Sequence, residues 1–568
     1  MRLRPLLIFL PKGVGVTHNI ASGLKRFGCF AVDEKADGKR GKAVMYGIFA
    51  LSLALSLLFI FTHEMWRDET QAWLISKNLS FYDIWYNERY EGHPVLWHFL
   101  LAVFSKCGLP MRIMFVLSFA FTSMGTWLLM FRTRLCNVFK AAIALNPFVF
   151  YYFAAFARPY ALEYFLLCAV AALYPARRKR AVLFGVLMFC ILNVHVQAAG
   201  VACAFMLLEF IDMVSDLVHK KKLSAKRIIG MLIAVCGLVL LVATLITTFS
   251  ANGEVKLDTD LRDKLYLAFT ARIPTVANSL HLSHLMPLRI IFGVILGMLL
   301  ITLFIFLLEY PRAMTVFFGG TIYLIVLAAM VYPSSKQKSA CLFLFFALTA
   351  VVAGFEQKKP ISELFGRKKK SASPTADKKP EKQISVNITK LICIPLSFFL
   401  LYANFGDISF LRYDITSVYS DAENTAEALR NSIPEGETVY CAATPNCSCV
   451  GAFAENYTYI DIPTGGEFTY CKWTNERRAA YEAFDLDMDK PLSESDPLGL
   501  LRSYILKCSP ESESVYVLID DNYLEKLIDP IRDNAEEIYY ETPITEVDKK
   551  LRKWGESYVL FRLELSEN

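Results

Sequence analysis

The chain has 568 residues, of which 55% are hydrophobic, and its mean hydropathy is positive. A soluble globular protein of this length is usually less apolar, so the composition argues against an ordinary soluble enzyme. The net charge of +6 conceals a split, because residues 405–568 hold 32 Asp and Glu against 15 Lys and Arg. A basic, membrane-embedded body with an acidic soluble tail is indicated, and a nucleic-acid partner is not.

The first residues, 1–42, are interpreted as a basic cytoplasmic leader. Their apolar core is short, and no small-residue cleavage site follows it cleanly, as one would in a signal peptide. Met45 remains an alternative start.

Long, continuous apolar runs follow the leader, and runs of roughly 20 residues can cross a hydrocarbon core as helices. We therefore expect residues 43–404 to form an α-helical polytopic membrane domain. The candidate segments, in chain order, lie near 43–62, 94–106, 111–131, 138–157, 159–176, 181–197, 198–213, 228–249, 286–309, 313–331, 339–354 and 389–404.

Three basic links fix the expected orientation, because short basic links stay in the cytoplasm. They are 176–180, 219–227 and the linker 355–388. The first loop, 63–93, and the tail then lie outside the cell. Segment 94–106 is short for a span, so we expect a partial or interfacial helix there. Eleven crossings remain, in a total of about 11–13 helices.

The first loop gathers charged and aromatic residues directly after an apolar run. Arg67, Asp68 and Glu69 should lie at the membrane–water boundary, where a carboxylate can act as a general base towards a hydroxyl or amine. An ordinary solvated loop with an aromatic belt of Trp and Tyr is the structural alternative.

The loop returns to the membrane in the segment "RYEGHP", which contains Arg89, Glu91 and His93. Glu91 and His93 are candidate ligands for a divalent metal, and this is the one cofactor that the residues suggest. A phosphate held by Arg89 and His93 is the other chemistry that fits.

Further ionisable residues lie in or beside the later apolar runs. Arg158 suits a phosphate or diphosphate, with snorkelling to the interface as the alternative. Of the polar residues in its apolar run, only His195 is a candidate pocket residue, and a helix–helix hydrogen bond explains it better. Lys336 and Lys338 lie on the expected outer side, against the positive-inside bias, which suggests an anionic ligand. His281 and His284, one helical turn apart, are a further possible metal pair.

The tail, 405–568, is predicted to be an extracytoplasmic soluble α/β domain. A helix is expected at 421–433, with Asp421 as its N-cap. Strands are expected at 437–443, 457–462, 514–520 and 557–565, with another helix at 522–535. One disulfide among the five tail cysteines is plausible for an extracytoplasmic domain.

Three segments in this order, "RDETQAWLIS", "RYEGHPVLWHFLL" and "ARPYALEYFLLCAVAALYP", resemble the GT-C type of polytopic membrane glycosyltransferases. They are most similar to the bacterial branch near the aminoarabinose and protein O-mannosyl transferases. The tail segments "YSDAENTAEALRNSIPEGETVYCAATPN" and "FTYCKWTNERR" resemble the extracytoplasmic domain of that branch.

The resemblance implies an inverting transfer of a sugar from a polyprenyl-phosphate carrier, in a pocket at the outer face of the cell membrane. It places the catalytic carboxylates at Asp68 and Glu69, with Asp68 as the base, and a second acid at Glu91 beside His93. Arg158 would contact the lipid phosphate. Relatives carry Arg and His where this chain has Lys336 and Lys338, so a phosphate-binding role for these lysines departs from the family pattern.

Two other functions stay open at this point. A transporter or flippase for a lipid-linked or anionic solute would use intramembrane charges along a pathway, and a scaffold would use the acidic tail to bind a partner. The sugar and the envelope acceptor (lipid, protein or polymer) are not specified by the sequence.

Overall fold

The structure is a computed structural model of the chain. It describes residues 38–251, 297–298, 301–330, 341–357, 388–406, 408–442, 444–488, 496–520, 527, 530–531, 533, 535–540 and 556–565. Up to residue 416 the described chain is helical, and after it the chain folds around a β-sheet.

The helical part contains long and short helices in one packed body. They are α1 (Gly38–Thr62), α2 (Arg67–Asn78), α3 (Phe81–Glu91), α4 (Leu96–Lys106), α5 (Ile113–Arg132), α6 (Asn137–Ala144), α7 (Tyr160–Leu173), α8 (Ala181–Val194), α9 (Val196–Val218), α10 (Ala225–Ala251), α11 (Pro311–Phe317), α12 (Tyr323–Met330), α13 (Leu342–Phe355), α14 (Ile388–Gly406) and α15 (Ile408–Thr416).

Among the described residues, three helices are long and apolar enough to cross a membrane, judged by length and composition: Lys39–Thr62, Ile113–Arg132 and Ala225–Thr248. Five shorter apolar helices accompany them in the described part of the chain. The chain is thus mostly helical with membrane-spanning capacity, whereas the total of 11–13 spans stays a prediction.

Two of the predicted apolar segments differ from simple spans. Helix α4, within 94–106, has 11 residues, so it is ~16 Å long and shorter than a bilayer core. The segment 138–157 is not one helix, because α6 ends at Ala144 and Phe148–Phe153 forms a π-helical turn. Asn146 accepts a hydrogen bond from the Phe148 N–H and donates to the Leu400 carbonyl, and Pro147 follows it. The first contact satisfies a backbone N–H that a continuous helix would pair internally, and the second ties the break to α14.

Helices α8 and α10 approach closely through glycine. A Cβ built on Gly185 would lie 2.0 Å from the Gly230 carbonyl oxygen. Small residues permit such contact between apolar helices. A larger side chain at Gly185 would force the pair apart.

The tail forms a six-stranded mixed sheet in the order β3-β2-β1-β4-β6-β5. The central pairs β1–β2 and β1–β4 are parallel, and the outer pairs are antiparallel. The strands and helices are α16 (Ala422–Ser432), β1 (Thr438–Cys441), α17 (Thr444–Phe453), β2 (Thr458–Asp461), β3 (Gly466–Glu467), α18 (Asn475–Met488), α19 (Pro497–Cys508), β4 (Ser514–Asp520), β5 (Glu536–Tyr540) and β6 (Tyr558–Glu564).

Helices pack on both faces of this sheet. Val439 and Cys441 pack with α16 and α17 on one face, whereas Tyr440 packs with α18 and α19 on the other. In β4, Leu518 and Val517 divide between the two faces in the same way. The alternation follows from the two-residue period of a strand, and it builds the α/β fold that was predicted for the tail.

The four predicted strands are present as β1, β2, β4 and β6. Helix α16 begins after Asp421, but the Asp421 side chain does not cap it. Its carboxylate instead accepts hydrogen bonds from Asn424 and the Tyr539 hydroxyl. Most of the predicted helix 522–535 lies outside the described residues. The five tail cysteines are all free thiols, so the disulfide considered for the tail is not formed.

Candidate active site

The ends of four helices meet below the tail sheet. Helix α1 ends at Thr62, and α2 begins at Arg67 after four intervening residues. Helix α3 ends at Glu91 and is capped by Gly92, whose φ of 71° lies in the left-handed region that favours glycine. This turn brings His93 back towards the start of α7, where Arg158 and Pro159 precede the first turn.

A cavity of ≈ 320 Å³ lies between these ends. Its walls combine charged side chains with aromatic rings, a composition typical of small-molecule sites. The lining residues are Trp66, Arg67, Asp68, Gln71, Ala72, Glu91, His93, Pro94, Trp97, His98, Phe156, Arg158, Pro159, Tyr160, Pro445, Cys471 and Trp473.

Asp68 lies between two guanidinium groups. Its Oδ2 is 2.8 Å from Nη1 of Arg158, and its Oδ1 is 3.7 Å from Nε of Arg67. Arg158 Nη1 also donates to the Asp68 carbonyl oxygen at 3.1 Å. The Asp68 side chain is 37% exposed, and that of Arg158 is 13% exposed. The pair therefore presents a carboxylate and a largely buried cation to the same space.

Glu69 does not line the cavity. It is fully buried, and its carboxylate accepts hydrogen bonds from the backbone N–H groups of Trp66 and Ala157. His63 Nε2 lies 3.4 Å from its Oε2. Because Ala157 immediately precedes Arg158, Glu69 fixes the backbone that carries the arginine. Its position suits a positioning residue better than the catalytic role expected from the sequence.

Glu91 faces the cavity from the last turn of α3. Its Oε1 accepts a hydrogen bond from Gln71 Nε2 at 3.0 Å. Burial, together with the negative charge of nearby Glu88, raises the pKa of Glu91 to about 7. A carboxyl group with this pKa can take up or release a proton at neutral pH, as general acid–base chemistry requires.

Two histidines stack beside Glu91's end of the cavity. The rings of His93 and His195 have centroids 6.1 Å apart at an interplanar angle of 27°. His195 lies at the break between α8 and α9, and its Nδ1 is 3.6 Å from the Glu163 carboxylate. The sequence proposed His195 as a pocket residue, and the structure places it directly behind a lining residue.

Other expected site residues lie elsewhere. The guanidinium of Arg89 lies over the Tyr86 ring at 3.6 Å and donates to the Tyr90 hydroxyl, and it does not line the cavity. Lys336 and Lys338 lie outside the described residues, as do His281 and His284.

The described residues form no group of three or more His, Cys, Asp or Glu side chains that could hold a metal ion. Glu91 and His93 both line the cavity, but among the described residues they belong to no such group. A divalent metal at these two residues therefore stays a prediction, and no catalytic step below depends on it.

The tail closes one side of the cavity, and no sequence pattern indicated this contact. Gln71 pairs with the backbone of Cys471 in both directions: its Oε1 accepts from the Cys471 N–H at 2.9 Å, and its Nε2 donates to the Cys471 carbonyl at 2.5 Å. Arg67 donates from Nη1 to Asn446 at 2.8 Å and from its backbone N–H to Glu556 at 2.9 Å.

Two further tail residues, Pro445 and Trp473, line the cavity. Pro445 lies just beyond β1, beside Asn446, which hydrogen-bonds Asp520 at the end of β4. The carboxyl edge of the parallel strands thus lies close to the cavity. In open α/β sheets this edge is where ligands usually bind.

No family model and no curated protein matches the sequence. Among solved structures, the chain is similar to the crystal structure of ArnT from Cupriavidus metallidurans bound to undecaprenyl phosphate. The likeness covers 92% of this chain and 98% of that chain, at 9% identity and a TM-score of 0.45. A likeness of this strength does not assign the chain to a family.

Proposed function

We propose that the cavity is the active site of a membrane glycosyltransferase of GT-C type, which moves a sugar from a polyprenyl-phosphate carrier to an envelope acceptor. The observation that carries the proposal is the Asp68–Arg158 pair, a carboxylate and a guanidinium 2.8 Å apart in one cavity at the end of a membrane-length helix. The motifs that contain both residues are also those that resemble this class of enzyme.

Arg158 is proposed to bind the phosphate of the carrier. A guanidinium matches phosphate oxygens in geometry and charge, and its partial burial strengthens the attraction by reducing screening by water. In the structure Arg158 is paired with Asp68. A phosphate that takes over this guanidinium would release the Asp68 carboxylate towards the acceptor.

The transfer is then a single displacement with inversion. The acceptor oxygen or nitrogen forms a bond to the anomeric carbon, while the bond from that carbon to the carrier phosphate breaks. The bonding electron pair leaves on the phosphate oxygen, where Arg158 stabilises the negative charge. The acceptor proton passes to Asp68 as general base.

Glu91 is a second candidate for the base, because its pKa of about 7 suits proton transfer at neutral pH. The two assignments differ in their pH dependence. Asp68→Asn removes transfer at every pH if Asp68 is the base, whereas a Glu91 base produces an acid limb near pH 7 that Glu91→Gln abolishes.

Binding of a polyprenyl phosphate to the purified full-length protein tests the phosphate site. Trp66, Trp97 and Trp473 line the cavity, so tryptophan fluorescence reports occupancy. We expect Arg158→Lys to weaken binding about tenfold, because lysine lacks the guanidinium fork. Arg112→Lys, on an exposed arginine paired with Glu423, is the matched control. Equal affinity for wild type and Arg158→Lys would contradict the assignment.

A further inference from the structure

A second cavity lies at the other end of helix α7. Tyr160, in the first turn of α7, lines the candidate active site, whereas Tyr174, just after its last turn, lines a cavity of ≈ 520 Å³. The 14 residues of α7 separate the two by ~21 Å. The second cavity is lined by Tyr174, Arg177, Leu208, Ile211, Pro311, Arg312, Thr315, Phe355, Glu356 and Gln357.

Three guanidinium groups converge on one carboxylate at this cavity. Asp212 Oδ2 is 3.6 Å from Nη2 of Arg177 and 2.8 Å from Nη2 of Arg178. Arg312 donates to Asp212 from both terminal nitrogens. A fourth guanidinium, of Arg134, lies 5.1 Å from the ring centroid of Phe355, which lines the cavity.

The second acid at the cavity, Glu356, is engaged by the backbone. It accepts hydrogen bonds from the N–H groups of Arg312 and Ala313 at 2.9–3.1 Å. Four guanidinium groups and two carboxylates therefore lie at this cavity. One of the two carboxylates, that of Glu356, is held by main-chain donors. The local balance is positive, so the cavity attracts an anion.

The guanidinium groups have more donors than this cluster uses. Each guanidinium carries five N–H groups. Within the described part of the chain, Arg177 contacts the Tyr174 carbonyl and Asp212, and its guanidinium lies over the Tyr174 ring at 4.1 Å. Stacking on the ring fixes the plane of the guanidinium. Its N–H groups point outward in that plane, where they can donate to a planar or tetrahedral oxyanion.

The rim of the cavity is apolar and exposed. Ile211 and Phe355, which line it, are 49% and 38% exposed. Leu207 and Phe210, on the same helix α9 as Ile211, are 50% and 57% exposed. In a chain with membrane-spanning helices, such side chains suit contact with acyl chains rather than water.

We propose that this second cavity binds the phosphate group of an anionic phospholipid, with the acyl chains lying along the apolar rim. Arg177 and Arg312 contact the phosphate oxygens, and Phe355 and Ile211 contact the chains. The cavity adjoins the basic link 176–180, which the positive-inside rule assigns to the cytoplasmic leaflet, where anionic lipids concentrate. The site is independent of the sugar-transfer proposal.

The test compares three probes on the purified full-length protein in detergent by native mass spectrometry and calorimetry: dihexanoyl phosphatidylglycerol, dihexanoyl phosphatidylcholine and inorganic phosphate. We expect the anionic lipid to bind at least tenfold more tightly than the zwitterionic one. Competition by inorganic phosphate would show that the phosphate group alone suffices, and no competition would show that the acyl chains are needed. Either result supports the site.

Two variants separate binding from folding. Thr315→Trp fills the cavity without removing a charge, and Arg177→Gln removes one guanidinium. Each variant should bind the anionic lipid about tenfold more weakly than the wild type. Lys179→Gln, on an exposed lysine of the same basic link, should leave binding unchanged. Equal binding of the two lipids, or wild-type lipid retention by folded Thr315→Trp, would overturn the proposal.

Discussion

At the scale of single residues, Glu91 makes the sharpest prediction of pH dependence. Its pKa is raised to about 7 by burial and by Glu88, so the carboxylate form predominates only above neutral pH. If Glu91 is the base, activity falls about tenfold for each pH unit below 7. A pH profile of sugar transfer measures this limb, and Glu91→Gln should remove it.

A direct titration checks the same pKa without substrate. Burial also raises the pKa of Glu556 to about 7, so the carboxylic acids that ionise near neutral pH in infrared spectra should include Glu91 and Glu556. Glu91→Gln should remove one contribution and Glu556→Gln the other. If the carboxylic-acid band that titrates near neutral pH keeps its wild-type size in Glu91→Gln, then Glu91 ionises at a lower pH.

His63 makes a prediction about stability. It is buried between Glu69 and Asp414, with nitrogen–oxygen distances of 3.4 Å to each. Burial alone would lower the pKa of His63, but the two carboxylates raise it to about 10. The unfolded value is 6.5, so this stabilisation is complete below pH 6.5 and is lost as the pH rises through 10.

We therefore expect His63→Ala to destabilise the protein by about 3–5 kcal/mol at pH 7, because two buried carboxylates lose their cation. Thermal unfolding in detergent measures the change. His219→Ala, at an exposed histidine after α9, should change the melting temperature little. A melting temperature of His63→Ala equal to that of wild type would contradict the buried ion pairs.

Local sequence patterns singled out four residues that the structure brings to one place. Asp68, Glu91, His93 and Arg158 all line one cavity, because each lies in or next to a helix end and these ends meet there. Glu69 was assigned to catalysis with Asp68, but adjacent residues of a helix point about 100° apart. The motif could not show that one carboxylate faces the cavity and the next faces the core.

At the scale of elements, the contact between α2 and the tail loop after β3 is testable. Gln71 holds Cys471 through two hydrogen bonds, next to the exposed Lys472. Gln71→Ala removes both bonds, so the loop should open more often. We expect trypsin to cleave after Lys472 several-fold faster in this variant. Asn456→Ala, at an exposed asparagine elsewhere in the tail, is the control. An unchanged cleavage rate in Gln71→Ala would contradict a stabilising role for the Gln71–Cys471 hydrogen bonds.

Periodicity predicted the elements that are regular and failed at those that are not. The strands β1, β2, β4 and β6 follow from alternating Val, Tyr and Ile residues. The apolar segment 138–157 looked like one span, but Asn146 and Pro147 divide it. Hydropathy counts apolar residues. It cannot show that this stretch is buried in protein, where non-helical backbone is tolerated.

At the scale of the molecule, the tail covers the cavity, and no local pattern could have shown this. Gln71 and Cys471 are 400 positions apart, so their contact depends on the tertiary fold alone. Pro445 and Trp473 were missed for the same reason. A more general signal was available: the acidic tail follows the basic body, and the described ion pairs between them include Arg112 with Glu423.

The orientation of the chain is a further prediction at this scale. In a variant with exposed Cys107 and Cys236 replaced by serine, Glu427→Cys in the tail should react with a membrane-impermeant thiol reagent on intact cells. Lys179→Cys in the basic link should react only after permeabilisation. The reverse pattern would place the candidate active site on the cytoplasmic side.

The central claim is that Asp68 and Arg158 form a sugar-transfer site. Its most direct test is mass spectrometry of lipid-linked sugars and envelope glycans from cells that produce wild type, Asp68→Asn or the control Asp83→Asn, with equal membrane insertion verified. The account predicts that Asp68→Asn abolishes one glycan modification and leaves its lipid-linked donor unconsumed, while Asp83→Asn behaves as wild type. Identical glycans and lipid-linked sugars in Asp68→Asn and wild type would contradict it.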